Sequence, residues 1–247
     1  MAPSVAPQVT GGTMSAPVTL DRREGPYGEV VLRRRGDHHE IIANGCFLMD
    51  TSDGRSERRL VDAAFETLTA ATGPRSARTS EKRPIRPALL IGGLGVGFSL
   101  AHAAADSRWG AITVVEREAA IVDWHLTGPL SGISGPAVDD PRSVILRTDL
   151  LAHLRAVKHR YDALCLDIDN GPDWTVTEDN AGLYTLAGLA LCRTALTSGG
   201  VLAIWSAQPS PEFEQALRNA GFSGVRTEEI LVARGVPDVV HLAVSPA

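Results

Sequence analysis

The fold of this chain is decided by the stretch ALLIGGLGVG, residues 88–97. Four apolar residues predict a buried strand over Ala88–Ile91, and the pattern that follows predicts a helix over Val96–Ala105. The turn between them contains Gly92, Gly93, Gly95 and Gly97. Glycine lets the backbone turn sharply and approach a ligand closely. A strand that passes through such a turn into a helix is typical of nucleotide-binding α/β domains.

Downstream of this turn, strands and helices alternate. Strands are predicted at Ala111–Glu116, Val144–Arg147, Ala163–Asp167 and Val201–Trp205. Helices are predicted at 118–126, 150–158, 182–197 and 211–220. Two late strands, about 225–231 and 238–244, are expected to form an antiparallel hairpin at the sheet edge. Continuous apolar strands between helices predict a Rossmann-like, doubly wound, mostly parallel sheet over residues 88–247.

The first third of the chain has a different pattern. Residues 1–17 are rich in Pro, Gly, Ser and Thr and predict a disordered tail. Residues 18–72 predict a small β-hairpin domain, with a turn at Asn44-Gly45 and a helix over 56–71. Residues 73–87 are polar and bounded by proline, which predicts a linker.

Composition excludes several classes of function. The 247 residues carry a net charge of −5 and no basic run, so no nucleic-acid partner is expected. No apolar run is long enough to span a membrane, and the start lacks a secretory signal, so a cytoplasmic protein is expected. Three scattered cysteines without a CxxC pair predict neither a disulfide framework nor a metal site.

Acidic residues follow three of the predicted strands. Glu116, Asp149 and Asp167 each stand at a strand's carboxyl end, and in an open α/β sheet these ends face one crevice. Glu116 suits the two ribose hydroxyls and Asp149 suits an adenine amino group, so we predict a site for an S-adenosylmethionine-type nucleoside that includes the neighbouring Arg117 and Leu150. Two alternatives remain: Glu116 and Asp149 as helix N-caps, or a site for NAD.

These motifs resemble the spermidine synthase (polyamine aminopropyltransferase) family from about Tyr27 to Trp205. The matching stretches are the glycine motif 88–97, Val115-Glu116, Asp140-Pro141-Arg142, Arg147-Thr148-Asp149, 161–167, Leu183-Tyr184 and 199–202. The resemblance implies a class I methyltransferase-like core behind a small N-terminal β-domain, S-adenosylmethionine or its decarboxylated form as substrate, and a homodimer. It also implies that Asp167 is the catalytic carboxylate.

The segment that holds the polyamine in that family differs here. Asp53 matches, but the family's Tyr-His-Glu triplet falls on Glu57-Arg58-Arg59. Two guanidinium groups would repel a polycation and would suit a carboxylate. We therefore predict that Arg58 and Arg59 bind substrate, and that the substrate is intact S-adenosylmethionine or a carboxylate-bearing acceptor rather than a standard polyamine. The alternative is that both arginines lie on the solvated face of the helix.

A sulfonium is already a good leaving group, so the protein has to place the reactants and remove a proton. Asp167 is the first candidate base and Asp169 the second, while Asn170 and Tyr184 are candidates for orienting the substrate. Three reactions stay open: transfer of the aminopropyl or aminocarboxypropyl arm with release of methylthioadenosine, intramolecular cyclisation of S-adenosylmethionine, and methyl transfer. A nucleotide-binding module without chemistry is the fourth hypothesis.

Overall fold

A computed structural model describes residues 16–72, 86–232 and 235–246 of the chain. The tail predicted over 1–17 and the linker predicted over 73–87 lie outside these ranges, except for the last two residues of each. In the part of the chain that the structure describes, no helix combines the length and the apolar composition that a membrane span requires.

The N-terminal region is a four-stranded antiparallel sheet. Its strands, in spatial and chain order, are β1 (Val18–Gly25), β2 (Gly28–Arg35), β3 (His38–Ala43) and β4 (Cys46–Asp50). Asn44 and Gly45 both have positive φ, 51° and 78°, which is the geometry that a tight hairpin needs between β3 and β4. Leu32 and Ile41 are fully buried on one face of this sheet, so the sheet packs against the rest of the protein.

Helix α1 (Arg55–Thr72) connects the small sheet to the large one. Its apolar face, which includes Leu60, Ala64 and Leu68, is buried at the four-residue spacing of an α-helix. This face packs against three strands of the large sheet. The first turn of α1 is therefore held close to the carboxyl edge of that sheet.

The large sheet has seven strands in the order β10-β11-β9-β8-β5-β6-β7. The strands are β5 (Ala88–Gly92), β6 (Ala111–Glu116), β7 (Ser143–Arg147), β8 (Tyr161–Leu166), β9 (Leu196–Ser206), β10 (Ser223–Ile230) and β11 (Asp238–Val244). The helices are α2 (Phe98–Ala105), α3 (Ala119–Leu126), α4 (Ser131–Ser134), α5 (Leu150–Ala156), α6 (Ala181–Tyr184), α7 (Leu186–Ala195) and α8 (Pro211–Asn219). Strands β5 to β9 run parallel, and β10 and β11 form the expected antiparallel hairpin. The predicted α/β fold class is confirmed.

The core has two layers, one on each face of the large sheet. Leu89 and Ile91 belong to the layer under α1 and α2, whereas Leu90 belongs to the layer under α5 and α7. This alternation along β5 explains why the strand is apolar at every position.

The single helix predicted over 182–197 is divided in the structure. Thr185 has an extended backbone, and its Oγ1 accepts a hydrogen bond from the backbone N–H of Gly188 at 3.1 Å. A threonine in this position ends α6 and caps α7. Strand β9 then begins at Leu196 rather than at Val201.

Candidate functional site

The glycine turn after β5 has a backbone that other residues adopt rarely. Gly93, Gly95 and Gly97 have φ values of 90°, 50° and 94°. A Cβ on Gly93 would lie 2.3 Å from the carbonyl oxygen of Asp167, and one on Gly95 would lie 2.3 Å from the Met49 sulfur. Both positions therefore require glycine, and the turn is packed between β8 and the N-terminal sheet.

Glu116 braces this turn from the end of β6. One carboxylate oxygen accepts a hydrogen bond from the backbone N–H of Leu94 at 2.9 Å, and the other accepts one from that of Glu118 at 2.8 Å. The residue is 7% exposed, and burial raises the pKa of its carboxyl. Its remaining lone pairs border the cavity described below.

Asp149 and Leu150 stand at the end of the neighbouring strand, β7. One oxygen of Asp149 caps α5 by accepting a hydrogen bond from the backbone N–H of Ala152 at 2.7 Å. The N-cap alternative is therefore realised, although Asp149 also borders the cavity. Leu150 is buried beneath the turn, where a Cβ on Gly92 would meet its side chain at 3.0 Å.

A large cavity, of about 1080 Å³, extends from the glycine turn to the first turn of α1. Among the described residues, ten carboxylate side chains and only two arginines border it. The acidic residues are Glu29, Asp50, Asp53, Glu57, Glu116, Glu118, Asp149, Asp167, Asp169 and Asp238; the arginines are Arg55 and Arg117. After the expectations drawn from the sequence, we call the part near Gly93 and Glu116 the donor end and the part near Glu57 and Asp238 the acceptor end.

Asp167 follows β8 and lies where the two ends meet. Burial raises the pKa of its carboxyl well above the ordinary value, and the nearby carboxylates of Glu57 and Asp238 raise it further. A carboxylate in such surroundings gains from a positive charge placed beside it. Asp167 therefore suits a cationic ligand and can take up a proton.

Asp169, the second candidate base, is occupied by its own loop. Its carboxylate accepts hydrogen bonds from the backbone N–H groups of Asn170, Val176 and Thr177 and from the Asn180 side chain at 2.8 Å. The residue is 6% exposed. These hydrogen bonds give Asp169 a role in shaping the loop, and its predicted role as a second base stays a prediction. Asn170 is buried in the same loop and borders the cavity.

Two carboxylates at the acceptor end were absent from the sequence prediction. Glu57 lies in the first turn of α1, and burial together with Asp238 and Asp53 raises the pKa of its carboxyl to about 7. Asp238 begins β11 and accepts a hydrogen bond from the Ser56 hydroxyl at 2.6 Å. The hydroxyl links α1 to β11, so residues 182 positions apart border one surface. The sequence contained no signal for Asp238, because its place depends on the hairpin pairing.

The structure places Arg58 and Arg59 outside the cavity. The Arg59 guanidinium forms ion pairs with Glu66 at 2.8 Å and with Glu228 at 2.6 Å, and that of Arg58 lies 5.4 Å from the Phe98 ring centroid. Neither residue borders the cavity. The helix turns Glu57 toward the cavity and carries the two arginines away from it, so their predicted contact with substrate gains no support here and stays a prediction.

Asp53 and Tyr184 complete the predicted set. Asp53 borders the acceptor end and pairs with Arg55, with 2.6 Å between Oδ2 and Nε. Tyr184 is outside the cavity lining, and its ring packs edge-on against Phe213 at 5.7 Å. Burial raises the pKa of the Tyr184 hydroxyl, with Asp169 and Asp167 adding to the effect. The ring contact gives Tyr184 a packing role, and its predicted contact with substrate stays a prediction.

Metal coordination has little support from these side chains. Within residues 16–72, 86–232 and 235–246, no group of three or more His, Cys, Asp or Glu side chains has the arrangement of a metal site. The acidic residues of the cavity are spread along its walls, which suits an extended cation better than a single ion.

The seven-stranded sheet with its antiparallel edge hairpin has the class I methyltransferase-like fold. A four-stranded antiparallel sheet precedes it in the chain. The spermidine synthase of Thermotoga maritima matches 92% of this chain and 72% of its own, with a TM-score of 0.68 and 15% identity. A spermidine synthase in complex with the transition-state analogue AdoDATO matches 92% of this chain and 73% of its own, with a TM-score of 0.71 and 15% identity.

Sequence comparison points in the same direction. No protein-family model matches the chain. Polyamine aminopropyltransferase 1 of Streptomyces coelicolor is 29% identical over 122 residues, which cover 49% of this chain and 22% of that protein. The match therefore spans less than a quarter of that relative's length. The predicted resemblance to spermidine synthases is confirmed.

Proposed function

We propose that this protein binds S-adenosylmethionine or its decarboxylated form in the cavity and transfers the three-carbon arm to a cationic amine, releasing methylthioadenosine. The observation that carries the proposal is the charge of the cavity: ten carboxylates and two arginines of the described chain surround a space that contains the glycine turn at one end and Asp167 in the middle. A sulfonium and an ammonium are both attracted to such walls.

The charge of the acceptor end changes the expected acceptor. The prediction against a polyamine rested on Arg58 and Arg59, which lie elsewhere. Of the arginines that the structure describes, Arg55 borders this end, and Asp53 neutralises it. The Arg55 guanidinium is therefore not free to bind a carboxylate-bearing acceptor. An amine would instead be attracted to the carboxylates of Glu57 and Asp238.

The proposed reaction is an in-line displacement. One ammonium group of the acceptor first gives a proton to the ionised Asp167 carboxylate, which leaves a neutral amine with a lone pair. That nitrogen attacks the arm carbon bonded to the sulfonium, and the carbon–sulfur bond breaks with both electrons going to sulfur. Because burial and neighbouring carboxylates raise the pKa of Asp167, it is a stronger base than an exposed aspartate. Asp169 contributes by holding the loop that carries Asn170.

The names of the similar proteins agree with this function. The curated relative is a polyamine aminopropyltransferase, and the structural neighbours are spermidine synthases. The donor, the acceptor and the transferred group of this chain are part of the proposal.

The test is incubation of the purified chain with each donor, with and without a diamine such as putrescine, followed by mass spectrometry. Methylthioadenosine that forms only when an amine is present supports the proposal. Methylthioadenosine without any acceptor indicates cyclisation, and S-adenosylhomocysteine indicates methyl transfer. Binding without turnover of either donor indicates a nucleotide-binding module. Any of these three outcomes overturns the proposed reaction.

A further inference from the structure

The segment 168–180, which follows Asp167, forms one wall of the cavity. Its cavity-lining residues are Ile168, Asp169, Asn170, Trp174, Val176, Thr177 and Asn180. Asp169 holds the segment from within, since its hydrogen-bond partners all belong to the same segment. The segment is also attached to the chain after β9, because the Asn170 carbonyl accepts a hydrogen bond from the backbone N–H of Ala207 at 3.1 Å. Neither set of contacts reaches the donor end.

Arg117 makes that connection. Its Nη2 donates a hydrogen bond to the Thr177 hydroxyl at 3.1 Å, and its Nη1 lies 3.4 Å from the acceptor Asn180 Oδ1. On its other side the guanidinium lies 4.2 Å from the ring centroid of Tyr27, in the β1–β2 turn. The Arg117 side chain is only 15% exposed, so these contacts are made largely away from water.

The same guanidinium acts on the donor end. Arg117 lies between Glu116 and Glu118, which are both buried, and its Nε is 3.6 Å from Glu118 Oε1. Its positive charge lowers the pKa of both carboxyls against the opposing effect of burial. One side chain thus touches the segment 168–180 and favours the ionised form of the carboxylates that face the nucleoside.

We propose that Arg117 is a positioning residue that ties the segment 168–180 to the donor end, so that nucleoside binding and the order of that segment are coupled. The coupling rests on the proposed function, while the tie itself does not. The two Nη atoms of a guanidinium can donate to two acceptors at once, here the Thr177 hydroxyl and Asn180 Oδ1, and the single ammonium of a lysine cannot reproduce this geometry. In this role Arg117 holds other residues in place and does not contact the reacting atoms.

The first measurement is hydrogen exchange on the free protein. Arg117→Met removes the fork and keeps an unbranched apolar stem. We expect the Val176 and Thr177 amides to exchange about tenfold faster than in the wild type, because a hydrogen bond from a charged donor is lost. Amides of β8 are the internal control and keep their rates. Tyr27→Phe keeps the ring and leaves the segment unchanged.

The second measurement is calorimetric binding of methylthioadenosine to the wild type, Arg117→Met, Thr177→Val and the double variant. We expect each single change to weaken binding about five- to tenfold, and the double variant to bind no more weakly than Arg117→Met. Arg117→Lys, which retains the charge, is expected to restore part of the affinity but to leave the segment's exchange fast.

The outcomes separate the two proposals. Unchanged amide exchange in Arg117→Met overturns the tie, and strictly additive losses in the binding cycle overturn the coupling. A wild type that binds no methylthioadenosine overturns the proposed function and with it the coupling. The exchange comparison on the free protein then still confirms or overturns the tie.

Discussion

The donor end and the acceptor end of the cavity are assembled from different kinds of chain segment. At the donor end, the glycine turn is held by Glu116, which bonds to Leu94 only 22 residues earlier in the chain. At the acceptor end, Ser56 bonds to Asp238 across 182 residues. The first contact follows from one strand–turn–helix unit, whereas the second needs the completed sheet.

The difference has an electrostatic side as well. The donor-end carboxylates of Glu116 and Glu118 have backbone N–H groups or Arg117 beside them. At the acceptor end, burial raises the pKa of Glu57 and of Asp167, and the nearby carboxylate of Asp238 raises both further. Arg55, which borders this end, is paired with Asp53, so Glu57 and Asp167 would gain from the positive charge of a ligand.

The largest expected effect concerns Asp167, where the two ends meet. Asp167→Asn keeps the shape of the side chain and removes the base, so turnover should fall about 10²- to 10⁴-fold. Donor affinity measured by calorimetry should change little, because the donor end is intact. Turnover within a few-fold of the wild type would remove Asp167 from the mechanism.

A change at the donor turn tests its geometry. Gly93→Ala places a Cβ 2.3 Å from the Asp167 carbonyl oxygen at a φ of 90°. The backbone strain alone is about 1–3 kcal/mol, so the melting temperature and nucleoside affinity should both fall. Gly132→Ala is the matched control, because a Cβ added there would have no described atom outside its own helix turn within 4 Å. Equal behaviour of the two variants would show that the turn is not constrained.

The acceptor end has a pH signature. The carboxyl of Glu57 has a pKa of about 7 in the folded protein, against 4.5 for an ordinary glutamate. The folded state thus holds an extra proton between these values, and wild-type stability should fall as pH rises from about 4.5 to 7. Glu57→Gln removes this loss and should be about 1–3 kcal/mol more stable than the wild type at pH 8, with no gain at pH 4.

Urea unfolding at both pH values measures this difference. Glu66→Gln is the control with the opposite sign, because Arg59 lowers the pKa of that carboxyl and its loss should destabilise the protein at pH 8. A Glu57→Gln variant that is less stable than the wild type at pH 8 would contradict the electrostatic account of the acceptor end.

The smallest effect is expected for the two arginines that the sequence placed in the site. Arg59→Ala loses partly exposed ion pairs with Glu66 and Glu228 and should cost up to about 1 kcal/mol of stability. Arg58→Ala should cost less, since it loses one contact with the Phe98 ring. Neither variant should alter KM for donor or amine. A tenfold rise in KM for either would return these residues to the site.

The contrast between the two ends also shows what could be predicted from the sequence. The glycine turn and the acids at the ends of β6, β7 and β8 were found because chain order fixes strand ends in a parallel sheet. The sequence pattern did not show which side chains of the first turn of α1 face the cavity. Periodicity placed Leu60 correctly, but no pattern showed whether Glu57 or Arg58 faces the cavity.

Two further features depend on contacts that no sequence pattern shows. Asp169 and Asn170 were recognised as polar residues after a strand, but the four hydrogen bonds that Asp169 accepts within its own loop were not predicted. Asp238 could not be predicted as a site residue, because a single acidic residue at the start of a strand is common and indicates no function. Its importance arises only when β11 pairs with β9 and brings it to Ser56.

The most direct test of the central claim is a crystal structure with methylthioadenosine and putrescine added together. We predict adenosine against Gly93 and Gly95 with its ribose at Glu116, and the amine between Asp167, Glu57 and Asp238. The two ligands would then occupy opposite ends of one cavity. Adenosine bound away from the glycine turn, or an amine absent from the acceptor carboxylates at saturating concentration, would contradict the account.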